Sequence, residues 1–142
     1  MEVEQKNFIT IQALIAAPVQ LVWEKWNNPA DIVTWNTASD DWHTTKSEND
    51  LRTGGTFNSR MEAKDGSFGF DFHGIYDKVV ENELLEITLG DNRKLSVTFK
   101  SMEDQTIVTE TFEAEHENSL DLQQQGWQAI LDNFKKHTEN SL

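Results

Sequence analysis

The C-terminal stretch constrains the fold most strongly, because Asn118 to His137 predicts one long amphipathic helix. Apolar side chains recur there at helical spacing and form one stripe: Leu120, Trp127, Ile130, Leu131 and Phe134. Asn118 is expected to cap the N-terminus of this helix. A helix of about 20 residues is roughly 30 Å long, enough to cross a small sheet. The rest of the chain must therefore supply an apolar surface of matching size.

Gly126 is unusual inside this helix, because an interior glycine costs about 1 kcal/mol relative to alanine. We therefore expect something to approach the helix backbone closely at this position. The packed sheet is one interpretation, and a ligand or cavity wall beside Trp127 is the other.

The N-terminal third predicts a strand followed by two short helices. The segment Phe8–Ala16 alternates apolar and polar residues, as a half-buried strand does. Ala17-Pro18 ends the strand and opens a helix, and Asn28-Pro29 separates that helix from a second one, Ala30–Trp35. Asn36–Arg52 shows little periodicity and predicts a long loop. Such a loop is either an irregular connector pinned by its tryptophan or a binding loop.

Three antiparallel hairpins are predicted from there to the final helix. The turns are Asp65-Gly66, Gly90-Asp91-Asn92 and Glu103-Asp104. In each hairpin, one register places apolar residues opposite apolar residues, so turn and pattern agree. The predicted cross-strand pairs include Arg60 with Asp71, Met61 with Phe70, Leu85 with Val97, and Val97 with Glu110.

Together these elements predict an α+β fold. A curved antiparallel sheet of about six to seven strands grips one long C-terminal helix, and two short helices follow strand one. A chain of 142 residues fits a single domain, so residues 1–142 are expected to form one domain.

Composition narrows the possible partners. Lys and Arg total 12 against 25 Asp and Glu, a formal net charge of −13 that would repel nucleic acids and anionic membranes. No apolar run is long enough to enter a membrane. Without cysteine there are no disulfides, and neither a metal site nor a cofactor is predicted. The N-terminus has no apolar signal segment, so we expect a cytoplasmic protein.

The ordered motifs make the chain resemble a known superfamily. They are Ala17-Pro18 with Val22-Trp23, Asn28–Asn36, Leu51–Phe57, Phe72–Asp77, and Gly126-Trp127. With these residues the chain resembles the SRPBCC or START-like helix-grip superfamily. Within it, the chain is most similar to bacterial proteins that resemble the C-terminal domain of the activator of the ninety-kilodalton heat-shock-protein ATPase.

This resemblance implies a cavity between sheet and terminal helix that takes a small apolar or amphipathic molecule, such as a lipid, polyketide or aromatic metabolite. Some relatives are cyclases and others are carriers or sensors, so a cyclase- or hydrolase-type enzyme using Glu110 is an alternative. A chaperone-activating interaction domain is a third possibility. The chaperone-directed relatives carry a further N-terminal domain, and we therefore expect a small molecule as the main partner.

Glu110 is the most informative candidate residue, because it shares strand parity with Val108 and Phe112 and should face the apolar side. Burying a carboxylate is costly unless it is paired or protonated. Glu110 is therefore either a cavity acid, base or ligand anchor, or a structural hydrogen-bond acceptor. The full set predicted to contact ligand is Trp35, Trp42, Met61, Phe70, Phe72, Tyr76, Val97, Glu110, Phe112, Trp127 and Leu131.

Overall fold

The computed structural model describes residues 6–142 and confirms the predicted α+β helix-grip architecture. In chain order its elements are β1 Phe8–Ile15, α1 Val19–Asn27, α2 Pro29–Trp35, β2 Trp42–Asn49, β3 Thr56–Ala63, β4 Gly69–Val80, β5 Leu84–Leu89, β6 Lys94–Met102, β7 Gln105–Glu113 and α3 Leu120–Asn140. The strands form one antiparallel sheet in the order β1-β7-β6-β5-β4-β3-β2. The segment that suggested a cytoplasmic location falls largely on residues 1–5, outside the described residues.

The predicted hairpin registers are confirmed. Met61 pairs with Phe70, and Arg60 pairs with Asp71 at 3.6 Å between Nη1 and Oδ2. The Asp65-Gly66 turn has glycine at φ +78°, a conformation that other residues adopt at a steric cost. Across the next two hairpins Val97 pairs with Leu85 on one side and Glu110 on the other. Apart from Glu110, one face of the sheet is therefore apolar along β5, β6 and β7.

The predicted loop Asn36–Arg52 is wrong, because its second half forms β2. This strand lies at the sheet edge beside β3, and the register shifts between Thr44 and Lys46. Only Thr44 of β2 is buried. An edge strand with few buried positions needs no apolar alternation, so the sequence pattern that reveals other strands is absent here.

The terminal helix also differs from the prediction at its start. Ser119, not Asn118, is the N-cap, and its Oγ accepts a hydrogen bond from the Leu122 backbone N–H at 3.1 Å. Leu120 is 47% exposed and so does not belong to the buried stripe. Leu131 and Phe134 are fully buried, and the Phe134 ring meets Trp26 and Trp35 edge-to-face. The short helices therefore share with α3 the task of covering the sheet.

The expectation of a close approach at Gly126 is wrong. No heavy atom lies within 4 Å of the position that a Cβ would occupy, apart from neighbouring helix backbone. The structure gives no packing reason for a glycine at this position.

Gly126→Ala is therefore expected to raise the free energy of unfolding by up to about 1 kcal/mol, because alanine loses less conformational entropy in a helix. Urea unfolding would measure the change. The opposite substitution in the same helix, Ala129→Gly, should lower the free energy of unfolding by a similar amount. A destabilised Gly126→Ala protein would show that an unseen contact occupies this space.

A candidate ligand-binding cavity

A cavity of about 300 Å³ lies between the sheet and the three helices. Every strand except β1 and every helix contributes to its wall. Ser59, Met61, Leu85, Ile87, Leu95 and Val97 form its sheet side. These residues point inward because of the strand registers, so the same alternation that builds the core also builds the cavity.

Aromatic side chains dominate the remaining wall. They are Trp26, Trp35, Phe57, Phe70, Phe72, Tyr76 and Trp127. Phe57 is positioned by Gly74, its partner across β3 and β4, since a Cβ at Gly74 would lie 3.0 Å from the Phe57 ring. The Phe57 ring centroid lies 5.7 Å from that of Phe72 and 5.5 Å from that of Tyr76.

Trp127 forms the wall on the α3 side. Its indole stacks on the ring of Phe112, with centroids 3.9 Å apart and planes 11° from parallel. Phe72 meets the indole edge-to-face at 6.0 Å. Phe112 is fully buried and is not part of the wall, so it supports Trp127 from behind.

A hydrogen-bonded chain forms a polar region of the wall. The Tyr76 hydroxyl donates to Asn49 Oδ1 at 2.6 Å, and Asn49 Nδ2 donates to the Asn27 carbonyl at 2.7 Å. Burial raises the pKa of the Tyr76 hydroxyl above its ordinary value, so the phenol remains neutral. The Trp35 indole N–H donates to the Lys25 carbonyl at 3.0 Å. These groups orient one another and fix the side chains of β2, β4, α1 and α2.

Glu110 projects from β7 into the cavity with only 6% of the residue exposed. It pairs with Val97 on one side and Ile11 on the other, so its strand neighbours are apolar. Within residues 6–142 no group forms a hydrogen bond or ion pair with its carboxyl. Burial raises the pKa of Glu110 to about 8, which leaves the acid mainly protonated at neutral pH. Among the described residues, Glu110 therefore has none of the hydrogen-bond donors that a structural acceptor would need.

The other charged groups on the wall already have partners. Arg93 donates from Nε to Asp91 Oδ2 at 2.7 Å and from Nη1 to the Glu113 carbonyl at 3.2 Å. Glu48 is paired with Lys46 at 2.9 Å, on the exposed edge strand. Glu110 thus differs from them in having no hydrogen-bond or ion-pair partner among residues 6–142.

The sequence profile of the family described as "Activator of Hsp90 ATPase homolog 1-like protein" matches residues 16–139. The chain belongs to this AHSA1-like family. No curated protein matches it in sequence.

Solved structures agree with this assignment. The AHSA1-like protein from Aeromonas hydrophila is 46% identical, with a TM-score of 0.89 over 95% of this chain and 94% of that chain. A protein from Cytophaga hutchinsonii is 48% identical, with a TM-score of 0.82 over 94% and 92% of the two chains. A Nitrosomonas europaea protein shares the fold at 18% identity, with a TM-score of 0.80 over 94% and 95%.

In this AHSA1-like chain, eight of the eleven predicted contact residues line the cavity: Trp35, Met61, Phe70, Phe72, Tyr76, Val97, Glu110 and Trp127. Three lie elsewhere. Phe112 is behind Trp127, Leu131 is in the core, and Trp42 packs beside Phe68 and Phe70 at the end of the β3–β4 hairpin. Ligand contact by any of the eleven stays a prediction.

Other wall residues were not predicted. Asn27, Asn49, Phe57 and Arg93 are the clearest examples. Phe57 shares strand parity with Ser59 and Met61, so its position was open to the same reasoning. Asn49 lies on the unpredicted strand β2, and no sequence signal indicated it.

The described residues contain neither a metal-binding cluster nor a membrane-spanning helix. Residues 6–142 contain no group of three or more His, Cys, Asp or Glu side chains that could hold a metal ion. No helix in the same part of the chain is both long and apolar enough to cross a bilayer. A cytoplasmic location stays a prediction.

Proposed function

We propose that this chain, acting as one domain over residues 1–142, binds a small amphipathic molecule in the cavity between sheet and helices. Lipids, polyketides and aromatic metabolites are the classes of compound that fit such a site. The observation that carries the proposal is the buried Glu110 carboxyl, which has no partner among residues 6–142 and lies in a cavity lined mainly by aromatic and aliphatic side chains. The cavity volume of about 300 Å³ lies at the lower end of the range typical of small-molecule sites.

The aromatic wall supports an apolar ligand body. Flat rings offer large contact areas at small cost in conformational entropy, and the indole N–H adds a polar handle. The Trp127 N–H has no hydrogen-bond partner among residues 6–142. The polar groups are few and fixed in place, as specific recognition requires.

The proposal predicts saturable binding of a neutral apolar fluorophore, N-phenyl-1-naphthylamine, with one site per chain. Val97→Phe adds a ring on the cavity side of β6 and should weaken binding at least tenfold by filling the space. Thr98→Phe places the same ring at the next, exposed position and is the matched control. Fluorescence titration measures both, and circular dichroism checks that each variant is folded.

Two results would contradict this function. One is a wild-type protein that shows no saturable fluorescence increase. The other is equal affinity in wild type and Val97→Phe, because the probe would then bind outside the cavity.

A catalytic role is the second candidate, and the raised pKa of Glu110 favours it. An acid with a pKa of about 8 can both give and take a proton near neutral pH, as general acid–base catalysis requires. A cyclase- or hydrolase-type reaction would use the protonated carboxyl first as an acid. Mass spectrometry of bound compounds before and after incubation tests it: product should form with wild type and not with Glu110→Gln.

A further inference from the structure

We propose that the ligand selected by this cavity is an organic cation, an apolar or aromatic molecule with a protonated amine that pairs with Glu110. This inference rests on the proposed function and adds the chemical class of the ligand. Three independent features lead to it: the unpartnered carboxyl, the aromatic wall, and the distribution of charge over the chain.

The first feature is the Glu110 carboxyl, which has no partner among residues 6–142. Besides Glu110, the charged or titratable side chains on the wall are Glu48, Arg93 and Tyr76, on β2, before β6 and on β4. Arg93 is held by Asp91 and the Glu113 carbonyl, Glu48 by Lys46, and Tyr76 by Asn49. On the described wall an anionic ligand would therefore find only Arg93, whose charge is already paired with Asp91. A cationic ligand would find one free carboxyl, and charge-assisted hydrogen bonds are the stronger kind.

The wall around that carboxyl suits a cation as well. Seven aromatic side chains line the cavity, three of them tryptophans. The faces of aromatic rings attract cations, tryptophan most strongly, and this attraction grows when the site excludes water. A neutral alcohol would gain only the apolar contact and one ordinary hydrogen bond.

The charge of the whole chain acts in the same direction. With a formal net charge of −13, its field raises the local concentration of cations and lowers that of anions. This effect is long-ranged and depends on salt, so it favours capture of the ligand more than its final placement.

Binding of the amine requires a proton to leave the site. The free protein holds the Glu110 proton, because burial raises the pKa of this acid to about 8. When the ammonium enters it keeps its own proton, the Glu110 O–H bond breaks, and that proton passes to solvent. The product is a carboxylate–ammonium pair. At pH 6 to 7 close to one proton should be released per ligand bound.

Three matched probes test the inference: 2-(2-naphthyl)ethylamine, 2-(2-naphthyl)ethanol and 2-naphthylacetic acid. Titration calorimetry at pH 6.5, in two buffers that differ in ionisation enthalpy, gives affinity and protons released. We expect the amine to bind at least tenfold more tightly than the alcohol, with release of close to one proton, and the acid to bind most weakly. Glu110→Gln should abolish proton release and the preference for the amine over the alcohol.

Carboxyl-carbon NMR of wild type provides a test that needs no variant. Saturation with the amine should move the Glu110 resonance to its ionised position, and the alcohol should leave it protonated. Equal affinity for amine and alcohol, tightest binding of the acid, or a Glu110 that stays protonated would each overturn the cation inference. If N-phenyl-1-naphthylamine still binds under the same conditions, the proposed binding function stands even though the cation inference has failed. If no probe binds, the proposed function itself fails.

Discussion

Deletion of every residue after Gln125 is expected to leave no cooperatively folded protein. The deletion removes most of α3, including Leu131 and Phe134, which are 1% and 0% exposed. The Phe134 ring packs edge-to-face against both Trp26 and Trp35, at 4.8 and 5.0 Å between centroids, so these contacts are lost as well. Loss of one large buried aromatic alone typically costs about 3–5 kcal/mol, comparable to the whole stability of many domains.

Thermal melting followed by circular dichroism measures the effect. The matched control removes only Ser141 and Leu142, which follow the helix and are exposed, and this protein should melt like the full chain. A cooperative melt of the longer deletion near the full-length temperature would contradict the structure, because the sheet would then be stable without the helix across it.

Glu110→Gln is expected to make the protein more stable than wild type at neutral and higher pH. Burial raises the pKa of Glu110 from 4.5 to about 8, so the folded state holds this proton more tightly than the unfolded chain. The contribution of the group to stability is complete below pH 4.5 and is lost as pH rises toward 8. Glutamine has nearly the same shape and no charge to bury, so the variant escapes this loss.

The size of the stability difference between Glu110→Gln and wild type follows from the change in the pKa of Glu110 on folding. Each unit of pKa corresponds to about 1.4 kcal/mol, so the variant should gain several kcal/mol over wild type between pH 4.5 and 8 and little below that window. Urea unfolding at a series of pH values measures it. Glu86→Gln, an exposed position on β5, is the control and should track wild type at every pH. A variant that is less stable than wild type at pH 7 would mean that the carboxylate is ionised and bound in the folded state.

The hairpins were predictable because two local signals agreed in each. The Asp65-Gly66 turn and the alternation of Met61 and Phe70 allow one register, and Val97 between Leu85 and Glu110 does the same for the later strands. A shift by one residue would expose every inward side chain, so the apolar pattern alone rejects it. This is also why the inward direction of Glu110 could be predicted without any structure.

The edge strand and the polar region of the wall were not predictable by that reasoning. On β2 the inward groups at the cavity are Ser47 and Asn49, which resemble loop residues in a sequence. Their role depends on contacts with distant elements, such as the Asn49 amide with Tyr76 and Asn27. Periodicity reports which side chains avoid water, and it carries no information about polar groups that are satisfied by one another.

The position of β1 has a consequence for synthesis of the protein in the cell. Its neighbour in the sheet is β7, so Thr10 meets Thr111 across 101 positions of sequence, and Ala16 bonds to Glu139 of α3 across 123. β1 thus meets its partner strand only after about a hundred further residues have been made. At typical translation rates this delay is roughly 5–20 s, and during it the apolar face of β1 between Ile9 and Ile15 is exposed to solvent. Folding of this domain is therefore expected to be completed only after both β7 and α3 have left the ribosome.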